Sequence, residues 1–135
     1  MVIDFEHHYV PMELARRMGI NTEIRTIVEQ DGVPKANVHG HLFNLDAQIQ
    51  DMDRAGIDVA VQTCILGWDT TLENCRLLND SAAKIQKEYR GRFVGLAHIP
   101  PLEGVPALQE LERAVGDLGL RGVTISSQVQ GLSLD

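Results

Sequence analysis

Cysteine is too scarce in this chain to build a covalent framework: there are two, Cys64 and Cys75, forming neither a close pair nor a repeated motif. A disulfide scaffold and a zinc knuckle are therefore not expected, and both residues read as small, partly buried thiols. Long apolar runs are also missing, since no stretch approaches the ~20 residues of a membrane span. Asp4 and Glu6 stand where a signal peptide would carry basic residues and then an apolar core, so the expected location is the cytoplasm. Positive charge is in deficit, with 12 Lys and Arg against 19 Asp and Glu and a formal net charge of -7. Phosphate recognition relies on clustered Lys and Arg, so neither nucleic acid nor an anionic membrane is an expected partner. Neither G-x-G-x-x-G nor G-x-x-x-x-G-K followed by Ser or Thr occurs, which removes the main support for a nucleotide site. At 135 residues the chain suffices for one compact domain, but not for a complete eightfold barrel of ~250 residues.

What is present begins at the N-terminus, Met-Val-Ile-Asp-Phe-Glu-His-His-Tyr-Val-Pro. With the two-residue period of a strand, Ile3 and Phe5 fall on one face and Asp4, Glu6 and His8 on the other. Such a split suits the C-terminal end of the first strand of a (β/α) barrel, where one face packs on helices and the other opens into the mouth. Carboxylate and imidazole there could hold a hard or borderline cation; a polar, exposed N-terminus is the alternative.

Further along, residues 12–18 can form a short helix ended by Gly19. Residues 19–43 show no sustained periodicity and carry the turn signals Asp31-Gly32-Val33-Pro34 and His39-Gly40-His41. The long first βα loop is accordingly expected at about 10–43, over the same mouth as Glu6 and His8. Asn44 can cap a helix with Leu45, Ile49 and Met52 on one stripe, ended by Gly56. Residues 57–64 then read as a strand. Thr70 or Thr71 can cap the clearest helix, whose series Leu72, Cys75, Leu78, Ala82, Ile85 and Tyr89 stops at Gly91. Residues 92–98 read as a third strand and 122–125 as a fourth. Between them lies a helix with Pro106 in its first turn and an expected buried stripe of Leu108, Leu111, Val115 and Leu118. Strands alternating with helices favour a parallel sheet. The expected fold is α/β: a partial (β/α)8 TIM barrel of about four parallel strands and three main helices, a single half-barrel segment over 1–135.

The opening Ile3-Asp4-Phe5-Glu6-His7-His8-Tyr9-Val10-Pro11 resembles the start of the amidohydrolase-related family typified by aminocarboxymuconate semialdehyde decarboxylase, commonly I-D-x-H-x-H and then proline. Similar segments follow in order: Met52-Asp53-Arg54-Ala55-Gly56-Ile57-Asp58, Asn79-Asp80, Arg92-Phe93-Val94-Gly95-Leu96-Ala97 with Pro100, and Leu118-Gly119-Leu120-Arg121-Gly122-Val123. Glu6 stands where the first histidine usually sits, while His8 keeps the second. Glu-x-His is similar to the pattern of resorcylate-type decarboxylases, so the resemblance implies decarboxylation of an aromatic or unsaturated carboxylic acid. Hydrolysis of an amide, ester or lactone on the same scaffold is the alternative, as is a catalytically inactive, self-associating half-barrel.

The resemblance implies Glu6 and His8 as metal ligands. Carboxylate in place of imidazole widens the expected metal from zinc toward manganese or magnesium. It also implies later histidines and an aspartate that do not occur in these residues, so general acid and base groups are unassigned, the chain alone is expected to be inactive, and the metal need not be held by it. Asp4 is expected to support the strand mouth, His7 to point outward and His98 to be structural. His41 and Trp68 are the candidate substrate-binding residues, with His39 and Lys35 beside the former and an apolar wall suggested by the latter. Free sheet edges in a half-barrel suggest a homo-oligomer.

Overall fold

The structure, a computed structural model, describes residues 1–30, 32–68 and 70–133, apart from the side chains of Gln30 and Lys35. In chain order its elements are β1 (Ile3–His8), α1 (Met12–Arg17), β2 (Thr26–Gln30), β3 (Val33–Val38), α2 (Leu45–Ala55), β4 (Val59–Thr63), α3 (Leu72–Glu88), β5 (Phe93–Gly95), β6 (Ala97–His98), α4 (Val105–Gly116), β7 (Val123–Thr124), β8 (Gln128–Val129) and β9 (Leu132–Ser133). Parallel pairing joins β1 to β4, β4 to β5, and β6 to β7. Leu96 alone separates β5 from β6, so the two serve as the third strand expected from the sequence.

The helices start and stop where local chemistry directs. Asn44 accepts a hydrogen bond from the Ala47 N–H at 3.0 Å to open α2, and Gly56 closes it at φ 69°, a left-handed conformation that glycine adopts without a Cβ penalty. Thr71 accepts the Asn74 N–H at 3.3 Å to open α3. Cys75, Leu78, Ala82 and Ile85 then lie buried at three- and four-residue steps. Met52, Ala60, Ile85 and Phe93 fill the space between the sheet, α2 and α3. Fully burying a side chain such as Phe93 contributes about 2 kcal/mol. Small residues, Ala82, Ala97 and Ala114 with Leu120, let α4 come close to α3 and β6.

Three expectations are corrected. The segment read as a loop contains an antiparallel hairpin, β2 against β3, with Thr26 opposite Val38. Its strands alternate weakly, but Ala36 and Val38 are buried against Val10, Leu14, Cys64 and Leu66, and tertiary packing supplies what the local pattern does not. On α4 the buried residues are Ala107, Glu110 and Ala114, whereas Leu108 and Val115 are 57% and 46% exposed. That helix is apolar on two sides, and the side with alanines permits the closer approach. Finally, Ile3 and Phe5 do not pack on helices but are 49% and 75% exposed, because β1 is an edge strand among the described residues. No helix among those residues is long and apolar enough to cross a membrane.

Candidate metal centre at the tip of the first strand

The geometry at the end of β1 is set by a slip in register. Asp4 lies opposite Ala60 and His7 opposite Gln62, so β1 spends one more residue than β4 over the same span, a bulge at Phe5 and Glu6. The extra residue breaks the strict alternation expected from the sequence. Asp4 therefore leaves the face assigned to it with Glu6 and His8, and its Oδ2 meets His7 Nδ1 at 2.9 Å. The other ring nitrogen of His7 faces Gln48 Oε1 at 3.1 Å, and the ring packs on Phe93 with centroids 5.8 Å apart. His7 thus points away from the candidate site, as expected. Asp4 supports the strand through His7 and by accepting the Glu6 N–H at 3.3 Å.

His8 faces the other way, level with Thr63 at the end of β4. Its Nδ1 meets the Thr63 hydroxyl at 2.9 Å, which leaves Nε2 as the nitrogen available to a metal. Burial pushes the His8 pKa below 6.5, while the Glu6 carboxylate acts in the opposite sense. Neutral imidazole is the ligating form. Glu6 is exposed beside it. Trp68, after β4, meets the His8 ring edge-on at 5.9 Å and donates its indole N–H to Thr124 Oγ1 at 3.0 Å. The structure therefore brings His8, Thr63 and Trp68 together at one end of the parallel strands, with the exposed Glu6 two residues before His8.

His41 is placed differently. Gln48 Nε2 donates to the His8 and His41 carbonyls at 3.0 and 3.1 Å, so the two backbones are linked. The His41 imidazole, however, meets Asp51 Oδ2 at 2.8 Å and stacks at 6.4 Å on His39. The Lys35 side chain lies outside the described residues. His98 is buried, and its Nε2 accepts the Cys64 N–H at 3.1 Å. Sequence reasoning missed Thr63 and Gln48. Gln48 was signalled as a polar residue inside the apolar stripe of α2, and Thr63 as a hydroxyl at a strand end.

The donor chemistry fits a divalent cation: one carboxylate and one imidazole whose other nitrogen is already engaged. It is a partial set, since no group of three or more His, Cys, Asp or Glu among the described residues could hold a metal.

The amidohydrolase family model matches residues 3–135. The chain belongs to the amidohydrolase family. Among curated proteins the chain is 30% identical over 112 residues to a 2-amino-3-carboxymuconate-6-semialdehyde decarboxylase of Dictyostelium discoideum, a match covering 78% of this chain and 31% of that protein. Among solved structures it is similar to a dihydroxybenzoic acid decarboxylase from a Polaromonas species, solved with bound manganese and the inhibitor 2-nitroresorcinol. That match has a TM-score of 0.68 at 26% identity and covers 99% of this chain and 42% of the other. The 5-carboxyvanillate decarboxylase of Novosphingobium aromaticivorans, complexed with manganese and 4-hydroxy-3-methoxy-5-nitrobenzoic acid, shares the fold at a TM-score of 0.70 and 24% identity, covering 98% and 43% of the two chains. The chain thus spans about a third of the curated relative's length, and its strands and helices form part of a (β/α)8 barrel.

Proposed function

We propose that this chain belongs to a metal-dependent decarboxylase of an aromatic or unsaturated carboxylic acid, with Glu6 and His8 among the metal ligands. The observation that carries the proposal is the arrangement around His8: its Nδ1 held by Thr63, its Nε2 left available, and Glu6 and Trp68 alongside. Manganese, magnesium or zinc bound there would supply Lewis-acid polarisation of a substrate oxygen. The likeness to the Dictyostelium and Polaromonas decarboxylases supports carbon–carbon cleavage over hydrolysis.

Within these residues, Thr63 fixes the ring of His8 and Gln48 ties the strand tip to the turn bearing His41. Trp68 supplies a flat apolar wall suited to a planar substrate, its indole held in place by Thr124. His41, freed from Asp51, could reach a substrate carboxylate as a second contact. Loss of carbon dioxide leaves an electron pair on carbon that a positioned acid must protonate, and a bond-orienting site must hold the carboxylate out of the ring plane.

Product analysis on the protein encoded by the complete gene tests the reading. With manganese present, release of carbon dioxide from dihydroxybenzoate-type or carboxymuconate-type acids is expected. Addition of water to an amide, ester or lactone, or inertness of the metal-replete protein to both reactions, contradicts it.

A further inference from the structure

We infer that His98 is a positioning residue, whose imidazole holds the turn after β4 and thereby sets the Trp68 indole against His8. His98 Nε2 accepts the Cys64 N–H at 3.1 Å, and the Cys64 carbonyl accepts the Gly67 N–H at 2.9 Å. Residues 64–67 thus close as a turn over the ring. The contact at Gly67 is tight: a Cβ there would stand 2.2 Å from His98 Cδ2 and 2.8 Å from both His98 Nε2 and Leu78 Cδ1. Glycine is required here for space rather than for an unusual φ. Trp68 is the next residue, and it leaves the turn to meet His8 at 5.9 Å and Thr124 at 3.0 Å.

The imidazole can act as an anchor because its own backbone is clamped. The His98 N–H donates to Asn79 Oδ1 at 2.8 Å, and Asn79 Nδ2 donates to the His98 carbonyl at 3.0 Å and to Glu110 Oε1 at 2.7 Å. Glu110 also accepts two hydrogen bonds from Arg113, each 2.8 Å. Asn79, Glu110 and His98 are 0%, 1% and 3% exposed, so the bonds among these three residues do not compete with bulk water. An imidazole that accepts at Nε2 in its neutral form carries its proton on Nδ1, here a buried nitrogen with no hydrogen-bond partner among the described residues. Burial pushes its pKa down to about 4, so the acceptor persists throughout the neutral range.

The significance of this linkage for catalysis rests on the decarboxylase reading, in which Trp68 and His8 face the substrate, but the linkage itself does not. Trp68 is the sole tryptophan, so intrinsic fluorescence reports on it alone. In His98→Leu the emission is expected to shift to the red and to become more accessible to acrylamide, with the helical circular dichroism retained. His98→Gln, whose side-chain oxygen can accept the Cys64 N–H, is expected to restore the parental spectrum. Should His98→Leu not fold, Gly67→Ala carries the test, because the added methyl pushes the turn off the ring while every hydrogen-bonding group stays. A folded His98→Leu or Gly67→Ala protein with parental emission and quenching overturns the inference, as does a His98→Gln protein that behaves like His98→Leu. Failure of decarboxylation by the protein encoded by the complete gene would leave these spectra unaffected, and unchanged spectra would leave the decarboxylase reading standing.

Discussion

Thr63 selects which nitrogen of His8 a metal would meet. Its hydroxyl engages Nδ1 at 2.9 Å, and removal of such a support typically lowers metal affinity 10–100-fold. Thr63→Val is therefore expected to weaken manganese binding by about that factor while the fold persists, measured by isothermal titration. His98 shows the opposite use of an imidazole. Burial lowers its pKa from 6.5 to about 4, so between those values the unfolded chain takes up a proton that the folded chain refuses. Its contribution is complete above about pH 6.5 and is lost as pH falls toward 4, by about 3 kcal/mol at ~1.4 kcal/mol per tenfold change. Urea unfolding across this window should show the slope, and His98→Gln should flatten it. Part of the slope should remain, because burial lowers His8 in the same direction.

At the scale of elements, α3 and α4 are joined by a buried polar contact rather than by apolar packing alone. Burial by itself would raise the Glu110 carboxyl, but hydrogen bonds from Arg113 and Asn79 outweigh it and hold the group below its ordinary value. Glu110→Ala leaves Asn79 Nδ2 short of a partner and is expected to cost about 2 kcal/mol in chemical denaturation. Asp80→Ala removes only the Arg113–Asp80 pair, whose Asp80 side is 60% exposed, and is expected to cost under about 1 kcal/mol. The caps of α2 and α3 and the order of parallel strands were legible in the sequence, because Asn44, Gly56, Thr71 and the stripe from Cys75 to Ile85 act through neighbours a few residues away. The bulge in β1, the hairpin and the buried side of α4 were not. Each depends on a partner distant in sequence: Ala60 and Gln62 for β1, Val10 and Cys64 for the hairpin, Asn79 for Glu110. Of the candidate site, Glu6, His8 and Trp68 were named from the sequence as residue types suited to a metal or a planar substrate. Their mutual geometry was not, since Thr63 and Thr124 come from other strands.

At the scale of the whole molecule, the chain covers 42% of the Polaromonas decarboxylase and, among the described residues, has β1 at the edge of its sheet and Val123 and Ile125 exposed around β7. Exposed edges with apolar side chains invite pairing with another copy. The 135-residue chain is therefore expected to sediment as a dimer or larger, with Phe5→Lys shifting it toward monomer; a monodisperse parental monomer contradicts this. The same partial coverage means that Glu6 and His8 are proposed as a share of a donor set. A manganese titration followed through the Trp68 emission reads that share, because the indole lies 5.9 Å from the His8 ring. Saturable quenching in the parental protein that disappears in both Glu6→Ala and His8→Ala is the predicted result. Quenching that is unchanged in either variant contradicts a metal centre at the tip of β1.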